Sequence, residues 1–451
     1  MFVPKRWLAV LLSSLLLPTT VRPQQSTATP ADELTLEQAI AIALETNRQI
    51  KVAALELEKF ANRLAVAKTH RLPHFEFSVL ATELVKTLNF DFKKGDLGTL
   101  TGIGPIPQTD VSVTAPRRPA FFYEGGAFQP LSQQYRLSLV DRKIETGREI
   151  AREQLRGKRQ EIVDSVKKTY YAALQTQSAL ESVEQSLKLY QELDRVTDRY
   201  VVQQVALKAD SLQVKTRVQE IVYESMTLRD RLADQKETLN NLLGRDIRTE
   251  FQIRAVPELT RYEADLTAAR EQALAQRPEI KEAQLKIKAA EYDRRIKKSE
   301  YIPDLSIGVG FVSAENVKVL PQNIVRAGFL LRWEPFDWGR KRNEMAEMGK
   351  AIEEAQLGLH ETQNQVLVEI GGKYRKLHQA RQMLITSQLA QETARENVRV
   401  FNSRYAVQEA LVKDVLQSQA SLAEANHKYQ QALLSFWTAK ADFEKAIGID
   451  P

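Results

Sequence analysis

Glu334-Pro335-Phe336-Asp337-Trp338-Gly339-Arg340 separates a short segment of alternating residues from a very long helix-permissive one. Behind Pro335 no proline occurs until Pro451, and behind Pro130, in Gln129-Pro130-Leu131, none occurs until Pro257. Proline breaks helix interiors by removing a donor and clashing with the preceding turn. Two windows of more than 100 residues are therefore open to uninterrupted helix, each just after a β-like segment.

The chain of 451 residues is 43% hydrophobic and 27% charged and has no cysteine. Residues 1–25 read as a secretory signal: Lys5 and Arg6, an apolar run from Trp7 to Leu17, then small and polar residues. That run is too short to span a bilayer. Removing Lys5, Arg6 and Arg22, with no acid among them, lowers the net charge from +6 to +3, so the basic pI does not indicate nucleic acid. The missing cysteines exclude disulfides, thiolate chemistry and a lipidated N-terminal cysteine. Beyond the signal no apolar run reaches transmembrane length. A mature chain that spans a membrane must then use β-strands in a closed barrel.

Residues 36–71 carry one apolar helical stripe (Leu36, Ala39, Ile40, Ala43, Leu44, Ile50, Ala53, Ala54, Leu57) and read as a helix ending at Leu72-Pro73. Strands follow at about 74–85 and 121–131, joined by a Gly/Pro/Thr-rich loop over 93–119. Residues 266–303 repeat 36–73 at an offset of 230, and strands recur at about 304–313 and 326–335. Pro130 meets Pro335 at an offset of 205, so the first hairpin loop is 25 residues longer. Leu422, Ala425, Tyr429, Ala432, Phe436, Ala439, Phe443 and Ala446 step by 3 and 4, a heptad seam. Subtracting 204 gives the seam Val218, Ile221, Ser225, Leu228, Leu232, Gln235, Leu239 and Leu242. Val166, Tyr170, Ala173, Leu180, Val183, Leu187 and Tyr190 continue the pattern in the preceding helix.

The expected fold is therefore mainly α with membrane β, and the repeat unit occurs twice, at 33–255 and 262–450. Each unit holds a helix, a β-hairpin and a long antiparallel coiled-coil hairpin, at about 134–243 and 339–447. The long hairpins turn between Tyr200 and Asp210 and between Tyr405 and Asp414, and glycine closes them at Leu243-Gly244 and Ile447-Gly448. A helix of 69 residues, Arg136 to Gln204, would reach roughly 100 Å, too long for a compact globule. Four strands cannot close a barrel, so insertion in lipid requires oligomerisation.

These features resemble the TolC-type outer-membrane efflux proteins. The resemblance is carried, in both repeats, by Leu36-Glu37-Gln38-Ala39, Ala43-Leu44, Leu72-Pro73, Gln129-Pro130-Leu131, Arg277-Pro278-Glu279, the corner at Pro335–Arg340, Asp414-Val415-Leu416 and Leu243-Gly244. It implies a homotrimer with a twelve-stranded barrel in the outer membrane and a periplasmic helical tunnel. The implied partners are a periplasmic adaptor, an inner-membrane pump and outer-membrane lipid, with no cofactor, no nucleic acid and no catalysis. It implies a tip constriction formed by Asp414 and Tyr405, with Asp210 and Tyr200 in the first repeat. Adaptor contacts would fall on Gln203, Gln204, Val205, Ala206 and Leu207, and on Gln408, Glu409, Ala410 and Leu411.

The chain also departs from the family pattern. Gln203-Gln204 and Gln408 replace the usual tip glycines, Gln417 replaces a second aspartate, Ala410 replaces a latching arginine, and Arg48 stands where the second repeat has Pro278. Pro130, Pro335, Asp337, Trp338 and Gly339 read as structural strand-to-helix corners, Trp338 as an interfacial aromatic. His70 and His74 are four apart, but Pro73 intervenes and the second repeat has Glu300 and Asp304, so no metal site is expected. The competing reading is a periplasmic coiled-coil adaptor or spacer without a pore. The duplicated β-hairpins favour the exit duct.

Overall fold

The computed structural model describes residues 33–83, 85–115, 119–204, 207–255, 264–316, 322–407, 409 and 412–450. The signal segment and the expected junction between the repeats at 256–261 lie outside these residues. The first unit runs β1 (Glu33–Leu34), α1 (Leu36–Thr46), α2 (Arg48–Thr69), β2 (His74–Glu83), β3 (Leu88–Phe92), β4 (Thr99–Leu100), β5 (Gly104–Pro105), β6 (Val111–Ala115), β7 (Pro119–Pro130), α3 (Gln134–Val202) and α4 (Lys208–Leu242). The second runs β8 (Gln252–Ile253), α5 (Leu266–Gln276), α6 (Pro278–Ser299), β9 (Asp304–Glu315), β10 (Ile324–Arg332), α7 (Arg340–Ala406) and α8 (Val412–Ile447).

Three features differ from the sequence reading. The stripe over 36–71 is two helices, because Asn47 breaks the chain at ψ 129° and restarts it. Its Oδ1 accepts from the amides of Gln49 (2.8 Å) and Ile50 (3.2 Å), while its Nδ2 donates to the Leu242 carbonyl (2.7 Å). A side-chain cap thus does in the first repeat what Pro278, first in α6, does in the second. Gly244 closes the same junction: at φ +69°, a Cβ there would meet the Thr46 carbonyl oxygen at 2.5 Å.

The second difference lies between the first two strands, where residues 88–115 contain paired ribbons: β3 with β6 and β4 with β5, both antiparallel. The third concerns register. Val366, Ile370 and Leu377 are buried in α7, as Ile162, Val166 and Ala173 are in α3, so the long helices match at 204 rather than at the 205 of the proline corners. Carried along the unbroken helices, this sets Tyr405 opposite Val201 and Tyr200 opposite Arg404, about 100° away round the helix. Tyr200 is therefore not the helical counterpart of Tyr405.

Two apolar clusters hold the molecule. One joins α1, α3, the end of α4 and the β1–β8 ribbon around Tyr170, Leu239 and Leu243; its counterpart joins α5, α7 and α8 around Ile370, Phe436 and Phe443. The Tyr170 hydroxyl lies 2.8 and 2.7 Å from the carbonyls of Leu34 and Arg254, fixing the parallel β1–β8 ribbon to α3. Between the repeats, α8 lies on α3 through Lys167–Glu444 (3.0 Å), Lys168–Asp442 (2.5 Å) and Lys445–Asp164 (3.2 Å). The two long hairpins consequently run side by side, and the two short hairpins share one antiparallel sheet of order β10-β9-β7-β2.

Candidate functional site: the membrane sheet and the helical tips

No helix among the described residues is long and apolar enough to cross a membrane. The four-stranded sheet has two chemically distinct faces. Register aligns Phe77 with Gly125, Gly125 with Phe311, and Phe311 with Val325, and aligns Ile307 with Phe329. With Phe75, Val79, Val309 and Leu331 these residues make one face apolar and largely exposed. Side chains alternate across a strand, so the opposite face carries Glu76, Glu124, Arg326 and Arg332. Arg326 and Glu124 approach to 3.8 Å there, both well exposed. Gly126 and Gly308 make room on that face for the Phe128 ring; a Cβ on Gly308 would meet it at 2.5 Å.

Both edges of the sheet, β2 and β10, lack a further strand among the described residues, and nearly every residue on them is exposed. Each strand is antiparallel to its neighbour, so the two edges run in opposite directions. Pro130 closes β7, and its carbonyl accepts from the Gln134 side chain at 2.9 Å. After β10 the chain turns through Pro335, where the Asp337 carboxylate accepts from the amides of Gly339 (3.1 Å) and Lys341 (3.0 Å). Trp338, at φ +57° and 88% exposed, packs edge-to-face on Phe336 at 4.7 Å. A tryptophan in the left-handed region is uncommon; here Asp337 on one side and Gly339 at φ +85° on the other hold it.

At the far end of the long helices lie the two turns. Tyr200 is exposed in the last turn of α3, and the Tyr405 backbone lies in the last turn of α7. The Asp210 backbone opens α4, and Asp414 is half-buried in the first turn of α8. The structure thus places all four positions at helix ends of the tips. Val205, Ala206, Gln408, Ala410 and Leu411 lie outside the described residues. In the first turn the Gln203 amide donates to the Arg199 carbonyl (3.1 Å) and Gln204 takes φ +59°, the backbone state for which glycine is the usual choice. Gln204→Gly is expected to stabilise this turn by about 0.5–1 kcal/mol. Amide exchange at Gln203 and Gln204 should slow; faster exchange would show the left-handed residue is not the strained one.

Sequence reading missed a clasp inside the first tip. The Asp198 carboxylate accepts from Ser211 Oγ (2.7 Å) and from Lys215 Nζ (2.9 Å), joining α3 to α4. Those two hydrogen bonds, Ser211 first, hold the Asp198 carboxyl below the usual range. The second tip has Asn402 and Gln419 at the helical offset of 204, so the clasp belongs to one repeat only. Its sequence signal, an aspartate and a lysine 17 apart across a turn, needs the turn's position before it can be read. Behind the first tip a groove of about 750 Å³ runs between the α3–α4 hairpin and α8, lined by Tyr190, Arg217, Ile221, Glu224, Ala423 and His427. At the turns themselves Val202, Leu207 and Val407 are exposed.

The comparisons with known proteins agree with this architecture. Residues 269–449 match the family model described as outer membrane efflux protein. The chain is similar to the CmeC outer membrane channel of Campylobacter jejuni, with a TM-score of 0.73 and 15% identity, over 92% of this chain and 85% of that one. It is similar to VceC of Vibrio cholerae, with a TM-score of 0.70 and 15% identity, over 92% and 96% of the two chains. Among curated relatives, an uncharacterized protein of Haemophilus influenzae is 21% identical over 88% of this chain and 84% of its own length. Protein CyaE of Bordetella pertussis is 25% identical over 40% of this chain and 38% of its own. Residues 269–449, within the second repeat, match the outer membrane efflux protein family, and the duplicated hairpins with one shared sheet give the chain the fold of the outer membrane channels it resembles.

Proposed function

We propose that three copies of this chain form a passive exit duct in the outer membrane, which carries substrates outward from a periplasmic adaptor and an inner-membrane pump. The observation that carries this reading is the sheet: apolar on one face, polar on the other, with two unpaired edges of opposite direction. Four strands are too few to close, and twelve, from three copies, make an even antiparallel barrel. The ten residues of β2, at about 3.3 Å each and tilted about 45°, rise roughly 23 Å, close to the apolar band of such barrels. The polar face then lines a water-filled lumen, and the long helices extend that passage into the periplasm.

The helical tips serve as the entrance in this reading. Asp414 and Tyr405, with Asp210 and Tyr200, narrow it, and the turns holding Gln203, Gln204, Leu207 and Glu409 receive the adaptor. Exposed Val202, Leu207 and Val407 supply the apolar area that such docking requires. Asp414→Ala combined with Tyr405→Phe is expected to raise passive uptake of a large hydrophilic antibiotic severalfold. Unchanged uptake would remove these residues from the constriction.

The deciding experiment is the native mass of protein extracted from outer membranes in detergent. A trimer that loses solubility without detergent supports the duct. A freely soluble monomer would overturn it in favour of the adaptor or spacer.

A further inference from the structure

The two repeats occupy different surroundings inside one chain, and the difference maps a surface. α6 is wedged between α7 of its own repeat and α3 of the other, whereas among the described residues α2 packs along its length on α3 alone. Glu282, Leu285, Ala289, Asp293 and Ile296 on α6 are accordingly half-buried, while their counterparts at the 230 offset, Val52, Leu55, Lys59, Arg63 and Val66, are all exposed. The same holds for the long helices. On α3, Lys143, Thr146, Ile150, Gly157, Gln160 and Asp164 are covered or half-covered. Their counterparts at the 204 offset on α7, Glu347, Lys350, Glu354, Glu361, Asn364 and Val368, are all exposed, Val368 by 75%. Among the long helices, α4 packs on α3 alone within the described residues, whereas α8 packs on both α7 and α3.

We propose that the uncovered face of α7 seats α2 and α4 of a second copy, with Glu347 paired to Arg63 and Glu361 to Arg48 of the partner subunit. This inference rests on the trimeric duct and names its seam. Inside the chain, Lys143 on α3 pairs with Asp293 on α6 at 2.5 Å. Carried to the seam between copies, that contact becomes Glu347 against Arg63, with the charges exchanged and complementarity kept. Neither residue makes an ion pair within the chain among the described residues. Gly157 faces Pro278 inside the chain, a Cβ on Gly157 lying 3.7 Å from Pro278 Cβ. The matching contact is Glu361 against Arg48, again opposite in charge. Arg48 therefore stands where the second repeat has its helix-starting proline because, at the seam, a cation there meets a carboxylate. Further along, Lys167–Glu444 and Lys168–Asp442 map to Gly371–Asn240 and Gly372–Thr238, so these two α3–α8 ion pairs of the internal seam have no copy between subunits.

A cysteine-free chain makes the test clean. The internal Cβ separation of 3.7 Å lies within disulfide range. The full-length variant carrying both R48C and E361C, oxidised in outer membranes, is expected to give covalent dimers and trimers on a non-reducing denaturing gel. The G157C and P278C variant should close within one chain with no gain in mass. Absence of linked copies, when the internal control closes and the wild-type protein is trimeric by native mass, would overturn the seam alone. A monomeric wild type would instead overturn the duct. A second measurement uses charge: E347K should lower the trimer fraction at least about tenfold at limiting detergent-solubilised concentration, and adding R63E should restore it. Failure of that restoration would also refute the pairing.

Discussion

Phe329→Arg is expected to abolish stable assembly in the outer membrane, while Leu330→Arg, one residue on, is tolerated. Phe329 lies mid-strand in β10, 73% exposed, and pairs with Ile307 on the apolar face. Leu330 pairs with Ser306 on the opposite face, beside Arg326 and Arg332 in the strand alternation. An arginine at the lipid-facing midplane costs about 2–4 kcal/mol, whereas a lumen position keeps it hydrated. Three copies multiply the first cost and leave the second small. The measurement is heat-modifiable trimer yield from outer-membrane fractions. Equal loss in both variants would show that the apolar face does not meet lipid. Loss in Leu330→Arg alone would reverse the two faces.

Asp442→Ala should produce the largest loss of stability outside the barrel. Its carboxylate, only 15% exposed, accepts from Lys168 (2.5 Å) on the first repeat and Lys373 (2.8 Å) on α7. Asp164, 5% exposed, accepts from Lys168 and Lys445 in the same cluster. Truncating Asp442 leaves Lys168 and Lys373 partly buried with one counter-charge fewer. Fully buried breaks of this kind cost about 3–5 kcal/mol; both lysines reach solvent, which lowers the expected cost to about 2–3 kcal/mol. Denaturant unfolding of the detergent-solubilised protein measures it, and a loss below about 0.5 kcal/mol would show that solvent already screens the cluster.

The sign of the pH dependence follows from the same carboxylate. Burial alone would raise the Asp442 pKa, but hydrogen bonds from Lys168 and Lys373 outweigh it and hold the group below its ordinary value. Its stabilisation is therefore present above the unfolded value of about 3.9 and is lost as pH falls through the lower folded value. Asp442→Asn should flatten stability between about pH 4 and pH 2 relative to wild type. An unchanged acid limb would assign acid unfolding to other carboxylates.

Local rules sufficed for the repeat architecture. Proline spacing opened two windows, heptad steps filled them with paired helices, and the alternation at Leu305, Ile307, Val309 and Phe311 marked a strand with one apolar face. The tip positions Asp210 and Asp414 were legible for the same reason, since they stand just past the heptads at a predictable turn.

What the sequence left open depends on atoms distant along the chain. Asn47 caps α2 only because the end of α4 arrives to accept its second hydrogen bond. The Asp198–Lys215 clasp exists only once the turn brings α3 and α4 together. That the one-residue shift between the proline corners and the heptad seams falls before α3 and α7, which separates Tyr200 from Tyr405, is invisible until burial shows which face of each helix is covered. Length, breaks and periodicity are properties of neighbours in sequence, and the chain determines them by itself. Which face of α7, α2 or α4 lies bare is a property of packing between repeats, and tertiary structure alone decided that.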